Sequence, residues 1–284
     1  MGTNTGKILD IDLTTGNVST STVDEDTQRK FVGGAGLAAK LFFDRVSPDI
    51  DPLSEKNVLF LLGGPLSGTN FPTSSRLLAA FKSPQTGIWG QASAGGNFAA
   101  VMKNAGYDGI TITGASSKPV YLVIEDAKVE IKDASDIWGK DCYETTDILK
   151  ERHGAKADII EIGPAGENLV KFAGIMNGKW GGISRCGGGV VMGSKKLKAV
   201  VVTGTGKVAA ADPEGLANVR KGVLDKIKES VITQALNGAG TAMGVEVNAM
   251  TGVLPVKNYN MGDGNFLAPK LTGGAITAQY LTKP

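Results

Sequence analysis

A chain of 284 residues with a formal charge of +2 and 20% charged residues has no broad polybasic face, which excludes nucleic acid as an expected partner. Its length and 42% hydrophobic content suit one large domain or two ordinary ones with a sizeable core. Glycine is the outlier at 40 residues, about twice the usual ~7%. These glycines lie beside apolar runs and turns, which predicts tight turns and close backbone approaches.

The opening MGTNTGKILDIDL has no apolar core of signal-peptide length, and Gly6 stands where a myristoylation signal needs Ser or Thr. Apolar runs such as VLFLL (58–62) are strand-sized and too short to span a bilayer. A cytoplasmic protein without membrane association is expected. The two cysteines, Cys142 and Cys186, form no C-x-x-C pair. That argues against a disulfide framework and against a complete metal or cluster site within this chain.

In chain order, GKILDIDLTTGNVSTSTV (6–23) predicts a hairpin and DEDTQRKFVGGAGLAAKLFFDRV a helical stretch. NVLFLLGGPLSG (57–68) follows as a buried strand ending in Gly-Pro. GGNFAAVMKNAGYDGITITG (95–114) then reads as glycines, a helix and a strand. The same order returns in KPVYLVIEDAKVEIKD (118–133), DCYETTDILKERHG, ADIIEIGPAGEN (157–168) and GGGVVMGSKKLKAVVVTG (187–204). Four landmarks repeated in one order predict an internal duplication, about 6–116 and 118–207. The two together make a first domain, 1–210. Residues 211–284 read as the start of a helical domain that is not finished, with Asp212 as N-cap and Pro213 at the first helical position.

Both closing units put glycines at a helix start, where free backbone N–H groups and the helix dipole favour an anion. Arg76 follows the first Gly-Pro strand, and Arg185 directly precedes the second glycine run. A guanidinium there suits bidentate phosphate binding; the plainer reading is a surface ion pair. Other motifs carry less. GGAGLAA (33–39) contains G-x-G-x-x-A but follows a helical stretch rather than a strand, so a nucleotide-binding enzyme is the weaker alternative. His153, the one histidine, reads as a charge near a helix C-terminus. Cys186 reads as a small packed side chain, Trp89, Trp138 and Trp180 as core or turn anchors, and Asp263 with Asn265 as a turn.

SPQTGIWGQASAGGNFAAVMKNAGYDGITITG, KPVYLVIEDAKVEIKDASDIWGK, IGPAGENLVKFAGIMN and GGVVMGSKKLKAV together resemble the tungsten-containing aldehyde ferredoxin oxidoreductases. GTAMGVEVNAMTGVLPVKNYNMG resembles the opening of that family's second domain. The resemblance implies an α+β fold: a duplicated base of two β-sheets with flanking helices, then the start of an α-helical domain. It implies a tungsten or molybdenum bis-pyranopterin resting on the base, contacted by Arg76. It also implies a magnesium ion bridging the two pterin phosphates. Its ligands correspond to Ser93, where the family has asparagine, and to the backbone carbonyl of Gly182. Gly95 and Gly96 follow the first of these, and Gly181 stands where the family has an arginine. Ser184 and Arg185 complete the second match, with Gly187 opening a run whose amides close on a pterin phosphate.

In the family the ligands of a [4Fe-4S] cluster and the acid/base residues come after the segment matching QYLTKP, so no catalytic residue is expected in this chain. The implied function is the front part of an enzyme oxidising aldehydes to carboxylates with ferredoxin as electron acceptor. The missing C-terminal part or a cysteine-rich chain would complete it, and a homo-oligomer is compatible. The family also includes a relative that reduces an aromatic thioester. A non-catalytic cofactor-binding or assembly module that needs a partner chain is the rival reading.

Overall fold

A computed structural model describes residues 2–280. The chain divides into two compact units, split between Pro213 and Glu214. The first contains two six-stranded sheets. Strands β1 (Lys7–Asp12), β2 (Val18–Thr22), β3 (Leu59–Gly63), β4 (Leu77–Lys82), β5 (Trp89–Ala94) and β6 (Gly109–Thr113) form one of them. Strands β7 (Val120–Glu125), β8 (Lys128–Asp133), β9 (Asp158–Glu161), β10 (Ile175–Asn177), β11 (Gly181–Ile183) and β12 (Leu197–Thr203) form the other. Their spatial orders are β2-β1-β6-β3-β4-β5 and β8-β7-β12-β9-β10-β11. The single parallel pair of each, β1 with β6 and β7 with β12, occupies the same place. Replacing each strand of the first sheet by the one six later reproduces the second sheet's topology.

Six helices complete this unit: α1 (Glu25–Phe31), α2 (Gly34–Arg45), α3 (Phe98–Asn104), α4 (Cys142–His153), α5 (Pro164–Glu167) and α6 (Gly188–Ser194). Their placement follows from the period-two alternation of the strands. Leu59 and Leu61 of β3 face one core with Ile160 of β9 and with Val200 and Val202 of β12. Their neighbours Phe60 and Leu62 face outward onto Leu37 and Ala38 of α2. On the second sheet Ile159, Ala199 and Val201 face outward onto Leu149 of α4. Helices α3 and α6 contact both sheets and fill the space between them. The result is five layers: α2, first sheet, α3 with α6, second sheet, α4. Strands covered on both faces must be apolar along their whole length, which is why LFLLG is buried at every position.

The helical stretch expected over 24–46 is broken in two. Val32 has φ 65° and Gly33 φ 154°, a left-handed excursion that ends α1 and re-aims α2. The GGAGLAA motif therefore opens a helix that follows another helix. The strand required by a dinucleotide fingerprint is not there. A side chain at Gly36 would overlap the carbonyl of Phe31, so close α1–α2 packing accounts for that glycine.

The second unit is helical: α7 (Pro213–Glu229), α8 (Val231–Ala239), a 3-10 turn (Thr241–Met243), α9 (Gly244–Met250), α10 (Ala268–Leu271) and α11 (Gly273–Tyr280). Among its described residues the buried apolar side chains are Ala249, Val256 and Ala268. Val231, Ile232 and Met250 are exposed, so this unit shows no core of its own size. Residues 281–284, the end of the last expected helix, lie outside the described residues. Among the described residues no helix is long and apolar enough to cross a membrane.

Candidate cofactor site

Arg76 directly precedes β4, and Ser93 lies on the neighbouring β5, opposite Leu78. This register lets the guanidinium lie across the end of β5. Its Nη2 donates to both the Oγ and the carbonyl of Ser93 at 2.9 Å, and its Nε donates to the same Oγ at 3.2 Å. Beyond β5 the chain turns through Gly95 and Gly96, the latter at φ 115°. The Ser75 hydroxyl holds the Gly96 carbonyl at 3.0 Å.

The equivalent edge of the second sheet is the hairpin of β10 and β11. Asn177 and Gly181 pair across it, and the Asn177 side-chain amide donates to the Gly95 carbonyl at 3.1 Å. A Cβ on Gly96 would stand 2.7 Å from Asn177 Nδ2, and one on Gly181 would stand 3.3 Å from the Gly95 carbonyl. These glycines are needed because the two sheet edges meet there. Around Gly95 nothing lies within 4 Å of such an atom, so its face is open to a ligand.

A cleft of about 700 Å³ opens at this junction, with Arg76, Ser93, Gly95, Gly96, Gly181 and Gly182 on its walls. Helix α4 contributes Thr146, Asp147 and Lys150, and β9 contributes Asp158. Trp180, 89% exposed, stands at the hairpin tip. The volume is within the usual range for small-molecule and cofactor sites. Asp147 is paired with Lys179 at 2.7 Å, and burial raises the Asp158 carboxyl above its ordinary range, with Lys150 opposing. Arg76 has no carboxylate partner among the described residues. Its positive charge is therefore available to an anion.

Behind the wall, Glu161 is wholly buried. Its Oε1 accepts from Thr146 Oγ1 at 3.1 Å, and its Oε2 has no partner. Burial pushes this carboxyl up to about 9, so it is protonated at neutral pH. Cys142, at the start of α4, is likewise pushed up to about 11, chiefly by burial.

The structure gathers Arg76, Ser93, Gly95, Gly96, Gly181 and Gly182 around one cleft. Ser184, Arg185 and Gly187 are not among its walls, and Arg185 is exposed on the segment between β11 and α6. On its side-chain side the glycine run 187–189 meets the protein itself. A Cβ on Gly187 would overlap the Lys171 carbonyl, one on Gly188 would stand 2.8 Å from the Phe81 ring, and one on Gly189 would overlap the Gly174 carbonyl. The Gly189 amide donates to Ala173 O at 2.8 Å. On that side these glycines admit the protein's own backbone at 187 and 189 and an aromatic ring at 188.

Cys186 is half-buried, its Sγ 3.6 Å from the Gln91 carbonyl. His153 ends α4, with Nε2 3.2 Å from the Tyr121 hydroxyl. Trp89 packs edge-on against Phe42, and Trp138 packs against the main core. The Asp263 carboxylate accepts from the Asn265 amide at 3.0 Å, a turn. Asn177, Lys150 and Trp180 as wall residues were not foreseen. The Asn-Gly pair 177–178 is a hairpin signal that would have located the first.

Two sheets meeting at glycine-bearing edges, with an arginine in the cleft between them that has no carboxylate partner among the described residues, define an α+β base suited to an anion. Residues 8–204 match the family model for the aldehyde ferredoxin oxidoreductase N-terminal domain, and the chain belongs to this family. It is 41% identical over 282 residues to the tungsten-containing aldehyde ferredoxin oxidoreductase of Pyrococcus furiosus, covering 99% of this chain and 46% of that one. The corresponding enzyme of Thermococcus kodakarensis is 42% identical over the same shares. Among solved structures, the active-site complex of benzoyl coenzyme A reductase with 1,5-dienoyl-CoA superposes with a TM-score of 0.80 at 39% identity. That match covers 86% of this chain and 37% of that one. The chain thus spans about half the length of the curated relatives it matches.

Proposed function

We propose that this chain is the N-terminal part of a pterin oxidoreductase that oxidises aldehydes to carboxylates and passes the electrons to ferredoxin. The observation that carries the reading is the Arg76–Ser93 clamp beside the open face of Gly95, in a member of the tungsten family. When bound, a tungsten or molybdenum bis-pyranopterin supplies the two-electron redox chemistry. This chain's residues do the holding. Arg76 and Lys150 balance phosphate charge, the Gly95–Gly96 corner leaves room for the ligand, and Asn177 keeps the two sheet edges in register. Arg185, Ser184 and the backbone amide of Gly187 would serve a second phosphate.

The cluster of the [4Fe-4S] type belongs to the remaining half of such an enzyme, in the same or a partner chain, and the setting is cytoplasmic. A second reading, a cofactor-binding or assembly module, draws support from the exposed Val231, Ile232 and Met250 of the helical unit, which suit a covering partner chain.

The test is anaerobic purification of this chain alone and co-expressed with a cysteine-rich C-terminal half of a relative. Tungsten, iron and aldehyde-dependent reduction of a viologen dye are measured in both. Metal and dye reduction are expected only in the complemented sample. Stoichiometric iron with dye reduction from the chain alone would overturn this division of labour, and tungsten without activity in both samples would favour the module.

A further inference from the structure

We infer that the Arg76–Ser93 pair holds phosphate in this cleft directly, by guanidinium and hydroxyl hydrogen bonds, with no bridging magnesium ion; the inference rests on reading the cleft as a phosphate site. The first argument is the saturation of Ser93. A serine hydroxyl has two acceptor lone pairs and one O–H to donate. Here both Arg76 Nε and Arg76 Nη2 donate to that oxygen, at 3.2 and 2.9 Å. Magnesium demands a free lone pair at about 2.0–2.1 Å in near-octahedral geometry. None is left on Ser93, and an ion placed there would sit against a guanidinium of the same sign.

The side-chain carboxylates of the cleft do not replace it, and a single carbonyl such as that of Gly182 makes no site without them. Asp147 is committed to Lys179 at 2.7 Å. Burial raises the Asp158 carboxyl and disfavours its charged form. Among the described residues no group of three His, Cys, Asp or Glu side chains is placed to hold a metal ion.

The same saturation suits an anion. With its lone pairs taken, the Ser93 hydroxyl has only its proton to offer, and an oxyanion is what that proton seeks. Arg76 spends Nε and Nη2 on Ser93, which leaves the two N–H groups of Nη1 for a ligand. Ser93 thus stands in this cleft as a donor position rather than a metal position.

The experiment uses the full chain, with inorganic phosphate as probe and ³¹P line broadening and calorimetry as readouts, in magnesium and in EDTA. Phosphate affinity is expected to change by less than about twofold between the two buffers. Arg76→Ala should weaken it by roughly tenfold or more, and Ser93→Ala by several-fold, the range for charge-assisted hydrogen bonds. Far-UV circular dichroism checks both folds. Should Arg76→Ala not fold, Ser93→Ala alone carries the comparison. Phosphate binding that appears only with magnesium would overturn the inference and leave the phosphate site standing. No binding in either buffer would overturn both.

Discussion

The side-chain amide of Asn177 reaches the carbonyl of Gly95, 82 positions earlier in the chain, at 3.1 Å. One hydrogen bond thereby ties the second sheet's edge hairpin to the corner that follows β5 in the first. Asn177→Ala removes it and leaves the Gly95 carbonyl to water. The expected loss is about 1 kcal/mol of stability, read by urea denaturation. Phosphate affinity should weaken with it, because the corner at Gly95 is no longer held. Wild-type affinity in a folded Asn177→Ala protein would dissociate the bridge from the site.

Two glycines should respond oppositely to the same change. At Gly189 an added methyl overlaps the Gly174 carbonyl, a backbone atom that cannot rotate away, so Gly189→Ala should cost roughly 2–3 kcal/mol. At Gly95 the same methyl meets nothing within 4 Å. Gly95→Ala should stay within about 0.5 kcal/mol of wild type in stability yet weaken phosphate binding. Equal destabilisation of the two variants would refute the distinction between packing glycine and ligand glycine.

Glu161 predicts a pH dependence. Its folded pKa of about 9 lies above the ordinary 4.5, so the native state holds a proton that the unfolded chain has released. Between those values the folded protein binds more protons. Stability contributed by this group therefore falls as pH rises through the window. Glu161→Gln, a neutral isostere, should flatten that fall and gain on the order of 2 kcal/mol at pH 8. Denaturation midpoints from pH 5 to about 9 provide the check, and a parallel decline in both proteins would contradict it.

Lys198 and Glu167 form a buried ion pair at 2.5 Å, their side chains 0% and 4% exposed. The lysine also donates to the Lys140 carbonyl at 2.7 Å. Lys198→Met strands a buried carboxylate and should cost about 3–5 kcal/mol. The double variant Lys198→Met, Glu167→Gln should recover part of that loss. A double variant whose loss equals the sum of its single changes would show that the two are not coupled as a pair.

The helical unit exposes Val231 at 78%, Ile232 at 68% and Met250 at 80%. Such surface drives association. Sedimentation of the 284-residue chain should show concentration-dependent oligomers that Ile232→Lys with Met250→Lys reduces. A strictly monomeric wild type would show that these side chains need no cover.

The order of hairpins, helices and strands and their repetition were legible in the one-dimensional pattern because each rests on local rules, while the order of strands within each sheet was not. LFLLG and AVVVT read as strands covered on both faces, and hairpins, Gly-Pro ends and glycine-started helices recur at matching intervals. Arg76, after a Gly-Pro strand, and the Gly95–Gly96 pair, before a helix, were visible there as candidates; the strand that ends at Ala94 was not.

Which glycine's side-chain side is open and which meets the chain itself was decided only in three dimensions. Gly187, Gly188 and Gly189 look more like a phosphate cradle than Gly95 does. Yet residues 171–174 and Phe81 occupy the space their side chains would need, whereas Gly95 stays open. The partner of Asn177 and the saturation of Ser93 by Arg76 are likewise contacts between distant segments. Sequence periodicity reports how a residue faces its own element. It carries no information about which remote backbone atom arrives opposite once two sheets have packed around a common layer of helices.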